Sequence, residues 1–209
     1  MTNTKRFSLL ALFFLISMLY FPLNRLLTDG YNLKTVLDES IPIVPEFIIP
    51  YVLFLPFWVG AFLLAAWKMN DGLFRAFMVG SIAATAIATA TYFVFPTYTE
   101  RPLIETSGWA SGLLQALYSN DNVFNAFPSG HVLYTTLIAL FGAAWQPRWS
   151  GWLQGSIVLV ILSTLLTGQH HLVDPLGGLA LGWGGYRFGL WVEYGRAEIR
   201  SLLPARKAG

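Results

Sequence analysis

Six apolar runs, separated by short polar connections, limit the fold of this chain more than any other feature. They cover residues 7–27, 47–67, 73–95, 132–145, 152–167 and 176–192. A helix needs about 20 apolar residues to cross the hydrocarbon core of a bilayer. Inside that core every backbone N–H and C=O must be satisfied internally, which leaves helices or closed barrels. Only 11% of the residues are charged, against about 25% in a soluble domain. The expected fold is therefore all-α: a polytopic membrane protein, a bundle of six transmembrane helices. It forms one domain over 1–209, with a first span in 1–27, a core at about 47–190 and a charged tail at 193–209. The first run follows Lys5 and Arg6 as a signal peptide would. No small-x-small cleavage site closes it, so an uncleaved span is expected. Gly80, Ser81, Ala84 and Ala88 give the third run a small-residue face suited to close helix packing.

Charge distribution orients the bundle. With the N-terminus placed inside, the inner segments carry Lys5, Arg6, Lys68, Arg75, Arg148, Arg187, Arg196, Arg200, Arg206 and Lys207, and the outer ones only Arg25, Lys34 and Arg101. Ten basic residues against three is a positive-inside bias. It predicts a multi-pass protein of a bacterial cytoplasmic membrane with its chemistry on the outer face. The formal net charge of +2 argues against nucleic acid as a partner. The absence of cysteine removes disulfides, thiolate metal sites and thiol nucleophiles together.

The three histidines occupy two short segments, Pro128-Ser129-Gly130-His131 and His170-His171-Leu172-Val173-Asp174-Pro175. Both fall at the border of an apolar run, and both fall outside on the charge argument. Pro128 stops a preceding helix, Ser129 is a good N-cap, and Gly130 leaves the first amides unobstructed. Such a helix start suits a phosphate, with His131 pointing into the same cradle. The bland alternative is an ordinary cap beside an interfacial histidine. His170 and Asp174 are four residues apart and meet if the turn is helical. A carboxylate on one imidazole nitrogen fixes the tautomer and makes the other nitrogen the better nucleophile. Asp174-Pro175 also reads as a plain helix start. His171, three residues from Asp174, is expected to support the site from outside. Arg101-Pro102, in the outer loop 96–127, supplies a guanidinium that can pair two phosphate oxygens. Its bland alternative is a solvated loop charge. Within that loop residues 109–118 read as a short amphipathic helix or a capping loop.

On these residues the chain resembles the type 2 phosphatidic acid phosphatase (PAP2) superfamily. Its motifs are Lys-x6-Arg-Pro, Pro-Ser-Gly-His and Ser-Arg-x5-His-x3-Asp. They stand here as Val94-x6-Arg101-Pro102, Pro128-Ser129-Gly130-His131 and Ser163-Thr164-x5-His170-x3-Asp174. The resemblance implies a cofactor-free, metal-free enzyme acting on a phosphorylated lipid. His170 would attack phosphorus and form a phosphohistidine, Asp174 would orient it, and His131 would protonate the leaving oxygen. Arg101, with the amides of Ser129 and Gly130, would hold the non-bridging oxygens. Val94 and Thr164 stand where the family has lysine and arginine. In that respect, and in Tyr92-x3-Pro96 and Gln169-His170, the chain is similar to the branch holding inositol phosphorylceramide synthase and sphingomyelin synthase.

Hydrolysis of a lipid phosphate ester is the first expectation. Transfer of a phosphate-linked headgroup to an alcohol is the second, because a phosphodiester carries less charge and needs fewer cations. A non-catalytic lipid-binding protein is the third. A channel or transporter would place ionisable residues mid-span, and no run contains one there. A zinc site made by the three histidines is disfavoured, since no His-x3-His pair exists. Besides the lipid substrate the expected partner is the bilayer, and oligomeric state is left open by the sequence.

Overall fold

The computed structural model describes residues 1–104 and 107–202, with side-chain surroundings as far as residue 195. The last part of the expected tail, 203–209, and the basic side chains of Arg196, Arg200, Arg206 and Lys207 lie outside the described residues. The elements are α1 (Asn3–Ser17), α2 (Tyr20–Leu26), β1 (Tyr31–Asn32), α3 (Ile48–Lys68), α4 (Asp71–Val94), β2 (Thr97–Tyr98), α5 (Trp109–Asn120), α6 (Gly130–Trp145), α7 (Ser150–Leu166) and α8 (Val173–Leu202). Helix starts follow their capping chemistry. The Asn70 side chain accepts the Leu73 N–H at 2.9 Å at the head of α4, and the Ser129 hydroxyl faces the Val132 N–H at 3.5 Å at the head of α6. Such caps satisfy donors that the helix itself leaves open. The first apolar run breaks at Met18–Leu19, so one expected helix becomes α1 followed by the short α2. Within α8 the backbone leaves helical geometry at Gly195, where φ is 71°.

Helix α6 is the axis of the bundle and packs against α3, α4, α7 and α8. Its Val132, Leu133, Thr135, Leu137 and Phe141 are fully buried. Around it large apolar side chains such as Leu15, Leu53, Leu63, Ile87, Trp152 and Trp183 stay exposed. Soluble monomers seldom expose contiguous apolar surface on that scale, and a lipid-facing belt accounts for it. Among the described residues four helical stretches are long and apolar enough to cross a membrane: Asn3–Leu26, Pro45–Lys68, Asp71–Val94 and Pro147–Leu166. The fourth and sixth apolar runs form α6 and α8. With 16 residues, α6 spans about 24 Å at 1.5 Å per residue. Being wrapped by its neighbours, it has little need of the length of a lipid-facing span.

The small-residue face expected in the third run forms the tightest seam of the bundle, α4 against α8. A Cβ placed on Gly189 would lie 2.0 Å from the Ala76 carbonyl oxygen, and one on Gly80 would lie 2.3 Å from that of Gly185. Only backbones free of side chains approach so closely. Farther along α8, Gly178 sits against the Ser129 carbonyl, 2.6 Å from its notional Cβ. The same stripe thus seats the head of α8 on the head of α6. At the opposite end Arg6 donates to the carbonyls of Ala66 (2.9 Å) and Met69 (2.8 Å) at the C-terminus of α3, and pairs with Asp71 at the head of α4. A cation on a helix C-terminus and an acid on an N-terminus are both favoured by the helix dipole. One of the basic residues counted for orientation is therefore also a buried tie among three helices.

Gly189→Val should lower the thermal unfolding temperature in detergent by an amount corresponding to about 1–3 kcal/mol of overpacking. Gly184→Ala, whose Cβ would meet nothing within 4 Å, serves as the control and should leave it unchanged. Equal melting of the two variants would contradict the close seam.

Candidate active site

Two segments distant in sequence meet at one end of the bundle. The turn after α7 is closed by Gly168, which has φ of 60°, and the Thr164 carbonyl accepts the N–H groups of Gln169 (3.0 Å) and His170 (3.2 Å). This delivers His170 and His171 to the first turn of α8. Asp174 lies in that turn and is fully buried. Its Oδ2 accepts from the His171 N–H at 2.9 Å and lies 3.2 Å from His170 Nδ1. Its carbonyl oxygen accepts the Ser129 N–H at 3.0 Å. Asp174 is thus more than a cap: it joins the His170 turn to the Ser129–His131 turn. With Nδ1 held by the carboxylate, the Nε2 of His170 is the nitrogen left for chemistry.

His131 lies beside this pair, its ring centroid 5.9 Å from that of His170 and the planes at 69°. Two aromatic side chains of α3 enclose it. Tyr51 stacks on it at 4.4 Å between centroids, and Trp58 lies at 5.1 Å. Trp58 is fixed by its own hydrogen bond to Thr135 Oγ1 at 2.9 Å. The Tyr92 hydroxyl donates to the Pro128 carbonyl at 2.7 Å and anchors the turn that presents His131.

The expected phosphate-binding groups are only partly available. The Ser129 N–H is committed to Asp174, so its expected role toward phosphate is corrected to joining the two segments. The N–H groups of Gly130 and His131 have no acceptor among the described residues and stay open at the helix start. Arg101 lies near the histidines, but its Nη atoms are spent on protein. Nη1 donates to the carbonyls of Tyr118 and Asp121, both at 2.7 Å. Nη2 faces Asn122 O at 3.0 Å, Gln169 Oε1 at 3.2 Å and Asp121 Oδ2 at 3.3 Å. Arg101 holds the end of α5 onto Gln169, next to His170, in place of the open clamp expected from the sequence. Val94 is exposed at the end of α4. Thr164 is buried with its hydroxyl on Ile161 O at 2.9 Å. Neither position supplies a substitute charge.

Helix α5 matches the segment expected at 109–118, with exposed Trp109 and Leu113 and fully buried Leu114. It packs beside α3 with Leu114 clustered on Ile48 and Tyr51, and the Tyr118 hydroxyl donates to Thr167 O at 2.7 Å. It therefore caps the site and also offers an apolar outer face. Burial pushes the Tyr118 hydroxyl up to about 12 against the pull of Arg101. Burial likewise raises the Asp121 carboxyl, with Arg101 opposing.

A cavity of about 290 Å³ opens at this corner, lined by Lys34, Asp38, Glu39, Thr99, Glu100, Arg101, His170 and His171 among others. Five of those residues, Lys34, Asp38, Glu39, Thr99 and Glu100, carried no site assignment in the sequence. Lys34, Asp38 and Glu39 come from a connecting segment with no motif, and Thr99 and Glu100 fill unspecified positions before Arg101, so only the fold reveals what they face. Asp38 accepts the Leu172 N–H at 2.7 Å and lies 4.0 Å from His171 Nδ1. Although burial would raise its pKa, bonds from Thr35 and Leu172 hold it below the ordinary value. Burial lowers that of His171, with Asp174 and Asp38 opposing. Gln169 Nε2, His171 Nε2 and Asp174 Oδ1 are buried without protein partners. Buried polar atoms are normally satisfied, so this concentration of open hydrogen-bonding capacity suits a polar ligand. Among the described residues no three His, Cys, Asp or Glu side chains cluster as metal ligands would. A larger cavity of about 340 Å³ along α3 and α6 is lined by Phe57, Leu64, Phe141 and other apolar residues, and bears none of these groups.

Arg101→Ala strands Asp121 and frees Gln169. Breaking such a pair costs about 3–5 kcal/mol, so the unfolding temperature in detergent should fall together with activity. An unchanged unfolding temperature with lost activity would show that Arg101 serves substrate alone.

The family model described as PAP2 superfamily matches residues 33–188. A curated protein of Bacteroides thetaiotaomicron named phosphoinositol dihydroceramide synthase is 25% identical over an alignment covering 65% of this chain and 50% of that protein. The chain thus spans about half the length of the curated relative it matches. No solved structure matches it.

Proposed function

The chain belongs to the PAP2 superfamily, and from that premise we propose that it is a membrane enzyme that moves a phosphate-linked headgroup from a lipid phosphodiester to an alcohol acceptor. The observation that carries this reading is the poverty of available positive charge at the site. Two family cations are Val94 and Thr164 here, and the Nη donors of Arg101 are bound by Tyr118, Asp121, Asn122 and Gln169. A phosphomonoester approaches a charge of −2 at neutral pH, while a diester carries one negative charge. The similarity to a protein named as a synthase supports the same choice over hydrolysis.

The steps are those the family resemblance implies, and the His170–Asp174 contact supports them. His170 Nε2 attacks phosphorus while Asp174 holds Nδ1. A phosphorus–nitrogen bond forms and the bond to the lipid alcohol breaks. His131 gives that leaving oxygen its proton. The headgroup is left on His170 as a phosphohistidine monoester. The acceptor hydroxyl then attacks phosphorus, returns its proton to His131 and frees His170. Acid, nucleophile and base roles are thereby divided between two imidazoles. The amides of Gly130 and His131 at the head of α6 would receive non-bridging oxygen charge. Water in place of the acceptor gives hydrolysis through the same intermediate. No step calls on a metal.

The apolar helices are read as six spans, with α6 sheltered by the rest. The positive-inside bias supports a site on the outer face of a bacterial cytoplasmic membrane.

Purified protein with chelator present should convert lipid phosphodiester only when an alcohol acceptor is added. His170→Ala should lower turnover by about 10³-fold or more. Phosphate release from a lipid monoester without acceptor would select hydrolysis, and turnover unaffected by His170→Ala would sink the mechanism.

A further inference from the structure

The segment between α2 and α3 is not a passive connection. Its β1 pairs in parallel with β2, Tyr31 with Thr97 and Asn32 with Tyr98. The Tyr31 N–H donates to Pro96 O at 2.9 Å, and the Val44 N–H to Leu166 O at 2.8 Å. Between these ties the Thr35 hydroxyl and N–H donate to Asp38 Oδ2 at 2.6 and 2.7 Å, and Leu172 N–H donates to Asp38 Oδ1. The segment is therefore strapped across the His170 corner with a fixed register. Lys34 sits inside the strap, its own N–H held by Asn32 Oδ1 at 2.9 Å.

We propose that Lys34 is the phosphate-binding cation of this site, and that it restricts the ligand to a monoanionic phosphodiester with an uncharged, hydroxyl-bearing headgroup. This rests on the headgroup-transfer reading above. Lys34 and Arg101 are the two cations lining the cavity that contains His170. The Arg101 Nη donors are taken up by protein, whereas the Lys34 ammonium is engaged by Glu39 alone among the described residues, at 3.8 Å. That separation exceeds a hydrogen bond, and the Glu39 side chain is 66% exposed, so the pair is weak and solvated and a phosphate oxygen can displace it. Lysine binds phosphate as a point charge, without the fixed fork geometry of arginine. The Lys34 charge also reaches the histidine turn, where it opposes protonation of His171.

The rest of the lining sets the charge limit. Asp38, Glu39 and Glu100 face the same cavity, three carboxylates against one uncommitted ammonium. Repulsion by this lining grows with the ligand's charge, so a dianionic monoester is disfavoured more strongly than a monoanion. Lys34 offsets the single charge of a monoanion, and the carboxylate oxygens can accept from headgroup hydroxyls. The strap thus takes over from Val94 and Thr164 the duty that two family cations have elsewhere, at a lower total charge.

The test uses full-length protein in detergent and two measurements on one probe, short-chain phosphatidylinositol: equilibrium binding, and transfer to an alcohol acceptor. Short-chain phosphatidic acid is the monoester comparison. Lys34→Gln should weaken phosphatidylinositol binding and lower kcat/KM by about 10–10²-fold without a change in unfolding temperature. Lys34→Arg should keep most of both. Glu39→Gln should improve phosphatidic acid binding relative to wild type. Lys34→Gln within twofold of wild type in both measurements would overturn the proposal while leaving the transferase reading intact. Binding that depends on Lys34 with no turnover by wild type would uphold Lys34 and overturn the transferase reading. Absence of binding and turnover in wild type would overturn both, and tighter binding of phosphatidic acid than of phosphatidylinositol would overturn the charge limit.

Discussion

The buried carboxylate of Asp174 is the contact on which the rest of this structure depends. Its side chain holds the His170 ring and the His171 amide, and its backbone oxygen holds the Ser129 amide. A fully buried carboxylate is costly unless its charge is compensated and hydrogen-bonded. The bundle provides that compensation only if α7, α8 and the head of α6 converge at one point. The glycine stripe of α8 makes the convergence possible, since Gly178 lets Ser129 approach and Gly185 and Gly189 seat the same helix against α4. Packing in the apolar interior and chemistry at the bundle end are thus one constraint on one helix.

Charge at the site follows a similar economy. Arg101 is surrounded by carbonyls and by Asp121, a local arrangement that stabilises the loop after α5 and draws positive charge away from the cavity. The remaining positive character comes from the open amides at the head of α6 and from Lys34 on the strap. Such a site favours a ligand with a single negative charge. Its open polar atoms, Gln169 Nε2 and His171 Nε2 among them, favour a ligand that also brings hydrogen-bonding groups.

The elements legible in the sequence were those governed by local rules. Apolar run lengths located α3 and α4 to within a few residues, because a span is fixed by its own composition. The cap chemistry of Ser129 located the head of α6, and the four-residue spacing joined His170 to Asp174. The small residues at Gly80 and Ala84 anticipated the α4 seam. What escaped was decided by long-range packing. Nothing near Arg101 in sequence signals that Gln169, 68 positions away, accepts from it. The aromatic walls Tyr51 and Trp58 belong to an apolar run in which any aromatic reads as lipid-facing. Lys34 and Asp38 stand in a polar connection whose course over the site depends on a two-residue parallel pairing with β2. The same limit applies to Ser129, whose amide is free in an isolated helix start and is consumed only once α8 docks.

Rapid acid-free quenching of the enzyme with lipid phosphodiester, followed by mass analysis of the His170 peptide, tests the central claim most directly. The expected result is a transient adduct on His170 that retains the headgroup, lost in His170→Ala and accumulating in His131→Ala with a donor whose alcohol leaves without protonation. An adduct of bare phosphate, an adduct on another residue, or turnover with no adduct at all would contradict it.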